Sequence, residues 1–281
     1  MIKLVCENFE IIPKTINFPD GTFKIDVEIP ENAVPCTIIW TYENESEFIQ
    51  LIYLTEYLHE RNYRKFGLYM PYIPNARMDR VKNSTEVFTL KYFCKIINSL
   101  GFDFVSVLDP HSAVSESLID RIRIVSPEKY IRKAVEISGI SLKDDYIFFP
   151  DEGSCKRYSE FFSGSENSGF GIKKRDWKTG KILGLDIHGN SPENKDIFII
   201  DDICSYGGTV YHSALKLKEL GCKNIYVYFT HCENSIAKGE LLKGDLIRHI
   251  YTTNSLFSLD TDKYSDKITV IDCLTKGNYN D

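Results

Sequence analysis

Two adjacent carboxylates, followed after four residues by a glycine pair and a threonine, are the residues best suited to chemistry: Asp201-Asp202-Ile203-Cys204-Ser205-Tyr206-Gly207-Gly208-Thr209. Glycines let backbone N–H groups approach a ligand closely. The apolar spacing Val210, Ala214, Leu217 and Leu220, closed by Gly221, predicts a helix that starts at this loop. The N-terminus of such a helix favours an anion, so the loop suits a phosphate. Carboxylates beside a phosphate repel it unless something lies between them. Sugar hydroxyls or a divalent cation fill that role, because carboxylates accept from hydroxyls and bind Mg²⁺ through oxygen. The stretch therefore reads as a ribose-phosphate cradle. A plain strand–turn–helix corner with surface acids is the alternative, and it leaves the coincidence of two acids with Gly-Gly-Thr unexplained.

The element that must position the acids is the run Ile197–Ile200, wholly apolar and β-branched or aromatic, as in a strand buried on both faces of a parallel sheet. The same device occurs three more times: Phe66–Met70, Phe104–Leu108 and Tyr146–Phe149 are short apolar runs, each followed by a polar cluster. Helical periodicity covers Glu45 to Asn62, Ser84 to Leu100 and Pro127 to Ser138, with a short helix expected from near Lys156-Arg157. Near the start, Ile2–Val5, Phe23–Ile29 and Cys36–Trp40 alternate as strands do, with a Pro-Asp-Gly turn at residues 19–21. Two α/β halves, each a mainly parallel sheet flanked by helices and presenting its strand ends toward a shared cleft, account for the pattern. The expected division is 1–125, 126–265 and a tail, 266–281, that packs back on the N-terminal half.

A chain of 281 residues is long enough for two such cores. Its 43% apolar and 26% charged residues are those of a globular protein. A net charge of −6 argues against an extended nucleic-acid footprint, and no apolar run is long enough to span a membrane. The first residues carry acids and no long apolar stretch, so no signal peptide is expected and a cytoplasmic location is. Eight widely spaced cysteines with no Cys-x-x-Cys pair suggest reduced thiols instead of a disulfide frame or zinc site.

Other clusters have ordinary alternatives. Arg77-Met78-Asp79-Arg80, after two prolines, could bind phosphates through paired guanidiniums or be a surface ion-pair group. His111, in Asp109-Pro110-His111-Ser112, is a candidate ligand or a satisfied core histidine. Asp151, in Pro150-Asp151-Glu152-Gly153-Ser154, is a candidate binding residue or an acidic helix cap. The basic stretch 171–181, with Lys173, Lys174 and Arg175, is a candidate mobile loop or an ordinary exposed hairpin.

Taken together, these segments resemble those of ribose-phosphate diphosphokinases, the PRPP synthetases. Residues 201–209 resemble the phosphoribosyl-diphosphate signature shared with type I phosphoribosyltransferases, matching at Asp201, Asp202, Gly207, Gly208 and Thr209. "PYIPNARMDR" resembles the family's Pro-Tyr-x-x-x-Ala-Arg-Gln-Asp-Arg, a segment that plain phosphoribosyltransferases lack. "VLDPHS" resembles its Asp-Leu-His-Ala. Phe18 and Asp20 match its Phe-Ser-Asp-Gly-Glu loop, with Thr22 in place of the Glu. The Asp151 segment, the Lys173/Arg175 pair, "YFTHCENSIAKGE" and "IRHIYTTNSL" also correspond, so the likeness runs from about residue 15 to about 272.

The resemblance implies two phosphoribosyltransferase-like domains. It implies a Mg²⁺-dependent transfer of the diphosphoryl group of ATP to the 1-hydroxyl of ribose 5-phosphate, giving PRPP and AMP. Phe18, Asp20, Arg77, Asp79, Arg80 and His111 would hold ATP; His111 would be a ligand of the catalytic magnesium, and Asp151 would lie at a second metal region. Lys173 and Arg175 would close over the transferred group. Asp151, Asp201, Asp202, Ser205, Tyr206, Gly207, Gly208 and Thr209 would hold the ribose phosphate. The family also implies a homo-oligomer, a dimer or hexamer. The sequence departs from the family at Ser205 and Tyr206, where the pattern carries Asp and Thr. This opens two further readings: an acceptor extended at the 5-phosphate, such as ADP-ribose, for which Tyr206 would offer an aromatic surface, and a non-catalytic regulatory subunit.

Overall fold

The computed structural model describes residues 1–6, 9–30, 36–63, 65–175 and 182–275, excepting the side chains of 173–175 and 182–183. The chain divides into two compact units. One comprises Met1–Ser126 with the chain from Cys273 onward, the other Pro127–Asp272.

The first unit contains β1 (Ile2–Cys6), β2 (Glu10–Ile11), β3 (Lys14–Asn17), β4 (Phe23–Asp26), β5 (Cys36–Trp40), α1 (Glu45–Glu60), β6 (Phe66–Met70), α2 (Thr89–Ser99), β7 (Val105–Leu108), α3 (Ala113–Leu118) and β8 (Ile122–Val125). Its sheet has the order β2-β1-β5-β6-β7-β8. Strands β5 to β8 are parallel, while β1 runs antiparallel to both its neighbours. Every residue of β6 and β7 is buried, as the continuous apolar runs require for strands covered on both faces. Asn44 caps α1 by accepting from the Glu47 N–H, and Phe48, Leu51, Leu54 and Leu58 turn inward onto the core. Separately, β3 and β4 form an antiparallel hairpin.

Two expectations need correction here. Helix α2 starts at Thr89, not near Ser84. The Asn83 side chain takes the N–H and hydroxyl of Thr85, and Glu86 accepts from Lys82 N and Asn83 Nδ2, so side chains capture the backbone that a helix would have used. The cysteines are not all reduced: Cys6 and Cys36 are directly opposed in the β1–β5 ladder and form a disulfide, with Cα atoms 4.4 Å apart. Sequence spacing, 30 residues here, cannot reveal a pairing made by strand register.

The second unit contains α4 (Glu128–Ser138), β9 (Tyr146–Phe149), α5 (Glu152–Tyr158), β10 (Ser168–Arg175), β11 (Ile182–Gly189), β12 (Ile197–Cys204), α6 (Gly208–Glu219), β13 (Ile225–Cys232), β14 (His249–Thr253) and β15 (Ile268–Ile271). The sheet order is β11-β10-β9-β12-β13-β14-β15, parallel throughout except for the β10–β11 hairpin. Tyr146, Phe148, Ile197, Ile199, Val227 and Ile250 from the strands pack with Val210, Ala214 and Leu217 of α6 into one core. Residues 268–271 complete this sheet as its edge strand. The chain rejoins the first unit only from Cys273, whose carbonyl accepts a hydrogen bond from the buried Tyr69 hydroxyl at 3.1 Å.

Candidate functional site

Within each unit the polar clusters leave the carboxyl ends of neighbouring parallel strands. In the first unit, β6 leads to Arg77-Met78-Asp79-Arg80 and the adjacent β7 to His111. In the second, β9 leads to Asp151 and the adjacent β12 ends on Asp201 and Asp202. Open α/β sheets place ligands at these strand ends.

In the first unit, Asp109 is buried and held at φ 44°, a left-handed turn that ends β7. His111 follows it, half-buried, just before Ser112 at the start of α3. Arg77 is exposed. Arg80 Nε lies 3.2 Å from Asp79 Oδ1, an ion pair whose arginine is largely in water. Phe18 and Asp20 occupy the tip of the β3–β4 hairpin. Phe18 is 46% exposed. The tip is closed by Phe18 N–H to Thr22 O at 2.8 Å and by Gly21 at φ 86°, a conformation that glycine adopts without strain. Asp20 Oδ1 accepts from the Thr22 hydroxyl at 2.7 Å and its N–H at 2.9 Å, and these bonds hold its carboxyl below the ordinary value.

In the second unit, β12 runs four residues further than its apolar stretch suggests, so Asp201 and Asp202 lie on the strand itself. Asp202 is buried and its Oδ2 meets Arg157 Nη2 of α5 at 2.9 Å. Asp201 keeps part of its surface exposed. Enough protein surrounds its carboxyl group, however, that burial pushes its pKa well up, with Asp202 and then Asp151 adding repulsion and Arg157 opposing them. Asp151 caps α5: its Oδ1 accepts from Gly153 N and Ser154 N, both at 3.1 Å, in a reciprocal capping box with Ser154. That cap starts α5 at Glu152, ahead of the expected Lys156, and the earlier start carries Arg157 to Asp202.

The loop after β12 is shaped by glycine. Gly207 sits at φ 77°, and a Cβ there would lie 2.3 Å from Leu241 Cδ1. Helix α6 begins at Gly208, and its N-cap, Gly207, has no side chain to accept from the first N–H groups, which point toward the loop. Thr209 stands in that first turn. Tyr206 is 58% exposed. Ser205 Oγ donates to Glu233 Oε2 at 2.7 Å and lies 3.1 Å from Ser235 Oγ, which is itself 3.1 Å from the same carboxylate oxygen. Gly239 packs so closely under the loop that an added Cβ would lie 2.1 Å from the Tyr206 carbonyl oxygen.

The structure thus brings Asp151, Asp201 and Asp202 together and sets residues 205–209 beyond them. Arg157, Glu233, Ser235, Gly239 and Leu241 join the surroundings of these residues through packing and strand register, which no local motif signals. The backbones of Lys173 and Arg175 lie in β10, next to a register shift between Lys174 and Arg175. Their side chains and residues 176–181, and with them the expected closure over substrate, lie outside the described residues.

Among the described residues, no group of three or more His, Cys, Asp or Glu side chains converges as a ready-made metal cage. The donor set nevertheless fits a hard cation. The carboxyl groups of Asp201, Asp202 and Asp151 stand near enough to interact, with Arg157 among them, and Mg²⁺ takes one or two carboxylates and completes its shell with water and substrate oxygens.

No family model matches the chain. It is similar to the ribose-phosphate pyrophosphokinase of Pyrococcus furiosus, 31% identical over 219 residues, which cover 76% of this chain and 75% of that protein. It is also similar to the ribose-phosphate pyrophosphokinase of Saccharolobus solfataricus, 27% identical over 251 residues, covering 87% and 84%. Among solved structures it is similar to a crystal structure of phosphoribosylpyrophosphate synthetase from Mycobacterium smegmatis, with TM-score 0.77, 17% identity and coverage of 93% of this chain and 86% of that one, a likeness of fold. With its strand-end acids, its glycine loop at a helix N-terminus and relatives that match over most of their length, the chain belongs to the ribose-phosphate pyrophosphokinase family.

Proposed function

We propose that this chain transfers the diphosphoryl group of ATP to the 1-hydroxyl of ribose 5-phosphate, releasing AMP and forming 5-phosphoribosyl 1-diphosphate. Family membership supports this reading. The observation that carries it is the pairing of Asp201 and Asp202, one of them anchored by Arg157, with an uncapped glycine loop at the start of α6.

In this reading Asp201 and Asp202 accept from the 2- and 3-hydroxyls of the ribose, and backbone N–H groups from Gly207 to Thr209 take the 5-phosphoryl group. Holding the sugar at both ends fixes the 1-hydroxyl, and positioning is the larger part of what a protein contributes to phosphoryl transfer. Phe18, Asp20, Arg77, Asp79 and Arg80 serve the nucleotide, and Lys173 and Arg175 neutralise charge on the transferring group. His111 in the first unit and Asp151 in the second would each serve a Mg²⁺ region of its own. The ion supplies charge neutralisation at the phosphate oxygens when bound.

One observation favours a second acceptor. The exposed ring of Tyr206 stands beside the 5-phosphate loop and offers a stacking surface for ADP-ribose. The purified chain should therefore be incubated with ATP, Mg²⁺ and each acceptor, and the nucleotide products separated. Acceptor-dependent, Mg²⁺-dependent AMP is expected. ADP as the product would defeat the proposal in favour of a single-phosphoryl transfer, and no AMP with either acceptor would defeat it and favour a non-catalytic subunit. Light scattering of the same sample tests the homo-oligomer that accompanies it.

A further inference from the structure

The main chain of the glycine loop after β12 is placed more by packing than by hydrogen bonds of its own. Among the described residues, neither Ser205 nor Tyr206 takes part in a backbone–backbone hydrogen bond. Gly207, the N-cap of α6, holds φ 77° and ψ 15° with no side chain to fasten it. Peptide planes are rigid, so these two angles decide where the Gly208 N–H points.

The loop rests on the segment that follows β13. There a short 3-10 turn, Asn234–Lys238, leads to Gly239 and Leu241. The segment is anchored at both ends. Asn234 Nδ2 donates to Ser258 Oγ at 2.8 Å, and the Ser258 N–H returns a bond to Asn234 Oδ1 at 3.0 Å. Ile236 and Leu241 are buried in the core that also holds Val210, Ala214 and Leu217 of α6. The Gly239 backbone lies under the Tyr206 carbonyl. The Leu241 side chain fills the place where a side chain of residue 207 would begin: a Cβ there would be 2.3 Å from Cδ1 and 2.6 Å from Cγ. A left-handed turn that no side chain caps is thus wedged by one leucine.

We infer that Leu241 is a positioning residue for the acceptor: it props Gly207 in the conformation that aims the first N–H groups of α6 at the 5-phosphoryl group. The inference rests on the proposed placement of that group at residues 205–209. Being apolar, Leu241 supports the turn without occupying the N–H groups that the phosphate needs. Truncating it leaves a cavity beside Gly207 into which the loop relaxes. A shift of about 1 Å is enough to cost tenfold or more at a positioned site. The contacts that set the acceptor loop therefore include a residue that touches no substrate.

The probes are ribose 5-phosphate, ADP-ribose and ATP, each titrated alone into the full chain with Mg²⁺ and followed by calorimetry. Leu241→Ala should weaken both acceptors about tenfold and leave ATP within about twofold. Leu241→Val should weaken the acceptors about threefold, and it carries the test if the alanine variant does not fold. Leu241→Met keeps the volume and should stay within about twofold of the unaltered chain. Loss of folded second unit would imitate the first result, so Ile225→Ala is the control. Ile225 is fully buried in the same core, at the other end of β13. Its variant should unfold at a lower temperature yet keep the acceptor constants within about twofold. Acceptor binding weakened as much by Ile225→Ala as by Leu241→Ala, an equal weakening of ATP, no response to Leu241→Ala or Leu241→Val, or no measurable binding of either acceptor would overturn the inference. If no AMP forms but the binding pattern holds, the transfer reading fails and Leu241 keeps its role. If AMP forms while the acceptor constants ignore Leu241, only the inference fails.

Discussion

Arg157 Nη2 lies 2.9 Å from Asp202 Oδ2, and the two partners differ in exposure: the carboxylate side chain is 4% exposed, the arginine 29%. The buried member therefore depends on the other. Arg157→Ala should destabilise the second unit by about 3 kcal/mol, because it takes a hydrogen-bonded cation from a buried carboxylate. Removing the guanidinium, which opposes the repulsion at Asp201, should also raise that carboxyl further. Urea unfolding followed at neutral pH, together with the KM for the acceptor, checks both effects. Unchanged stability would show that the pair is incidental.

Asp201 gives a pH dependence. Burial, then Asp202 and Asp151, raise its carboxyl well above the ordinary value of 3.8. The folded chain thus holds this proton over a pH range in which the unfolded chain has lost it. Its contribution to stability is greatest below pH 3.8 and declines as pH climbs to the raised value. Asp201→Asn should flatten that decline and be the more stable form at neutral pH. It should also raise the acceptor KM by about tenfold or more, since a charge-assisted grip on a hydroxyl is lost. Unfolding at several pH values and acceptor titrations measure the two effects. A steeper decline in the variant would refute the assignment.

Gly239 allows a steric test of the loop. Its φ is −85°, so alanine is tolerated by the backbone, but the new Cβ would press on the Tyr206 carbonyl oxygen. Gly239→Ala should cost about 2 kcal/mol and raise the KM for the acceptor about tenfold, with the KM for ATP little changed. Equal changes in both constants would argue that the loop does not serve the acceptor.

The disulfide between Cys6 and Cys36 closes a loop of 30 residues. Such a closure contributes about 3 kcal/mol, mainly by restricting the unfolded chain. Reductant, or the pair Cys6→Ser/Cys36→Ser, should lower the melting temperature of the first unit and leave the second where it was. Mass spectrometry with and without a thiol-blocking reagent reads the bond directly.

The parts of this molecule that local patterns encode were legible in the sequence. The apolar runs Phe66–Met70, Tyr146–Phe149 and Ile197–Ile200 are strands, and Gly139 at φ 75° ends α4 where its pattern stops. Asp201, Asp202 and the Gly207-Gly208 pair are neighbours along the chain, so their association could be read. Errors arose where side chains compete with the backbone, as at Asn83 before α2 and Asp151 before α5. Glu233 and the Cys6–Cys36 bond depend on which strands lie beside each other and in what register. No window of sequence carries that information.

The bond from Tyr69 to the Cys273 carbonyl spans 204 positions. Cys273 follows the whole of the second unit along the chain, so during synthesis the first unit goes without this contact until the second has been translated.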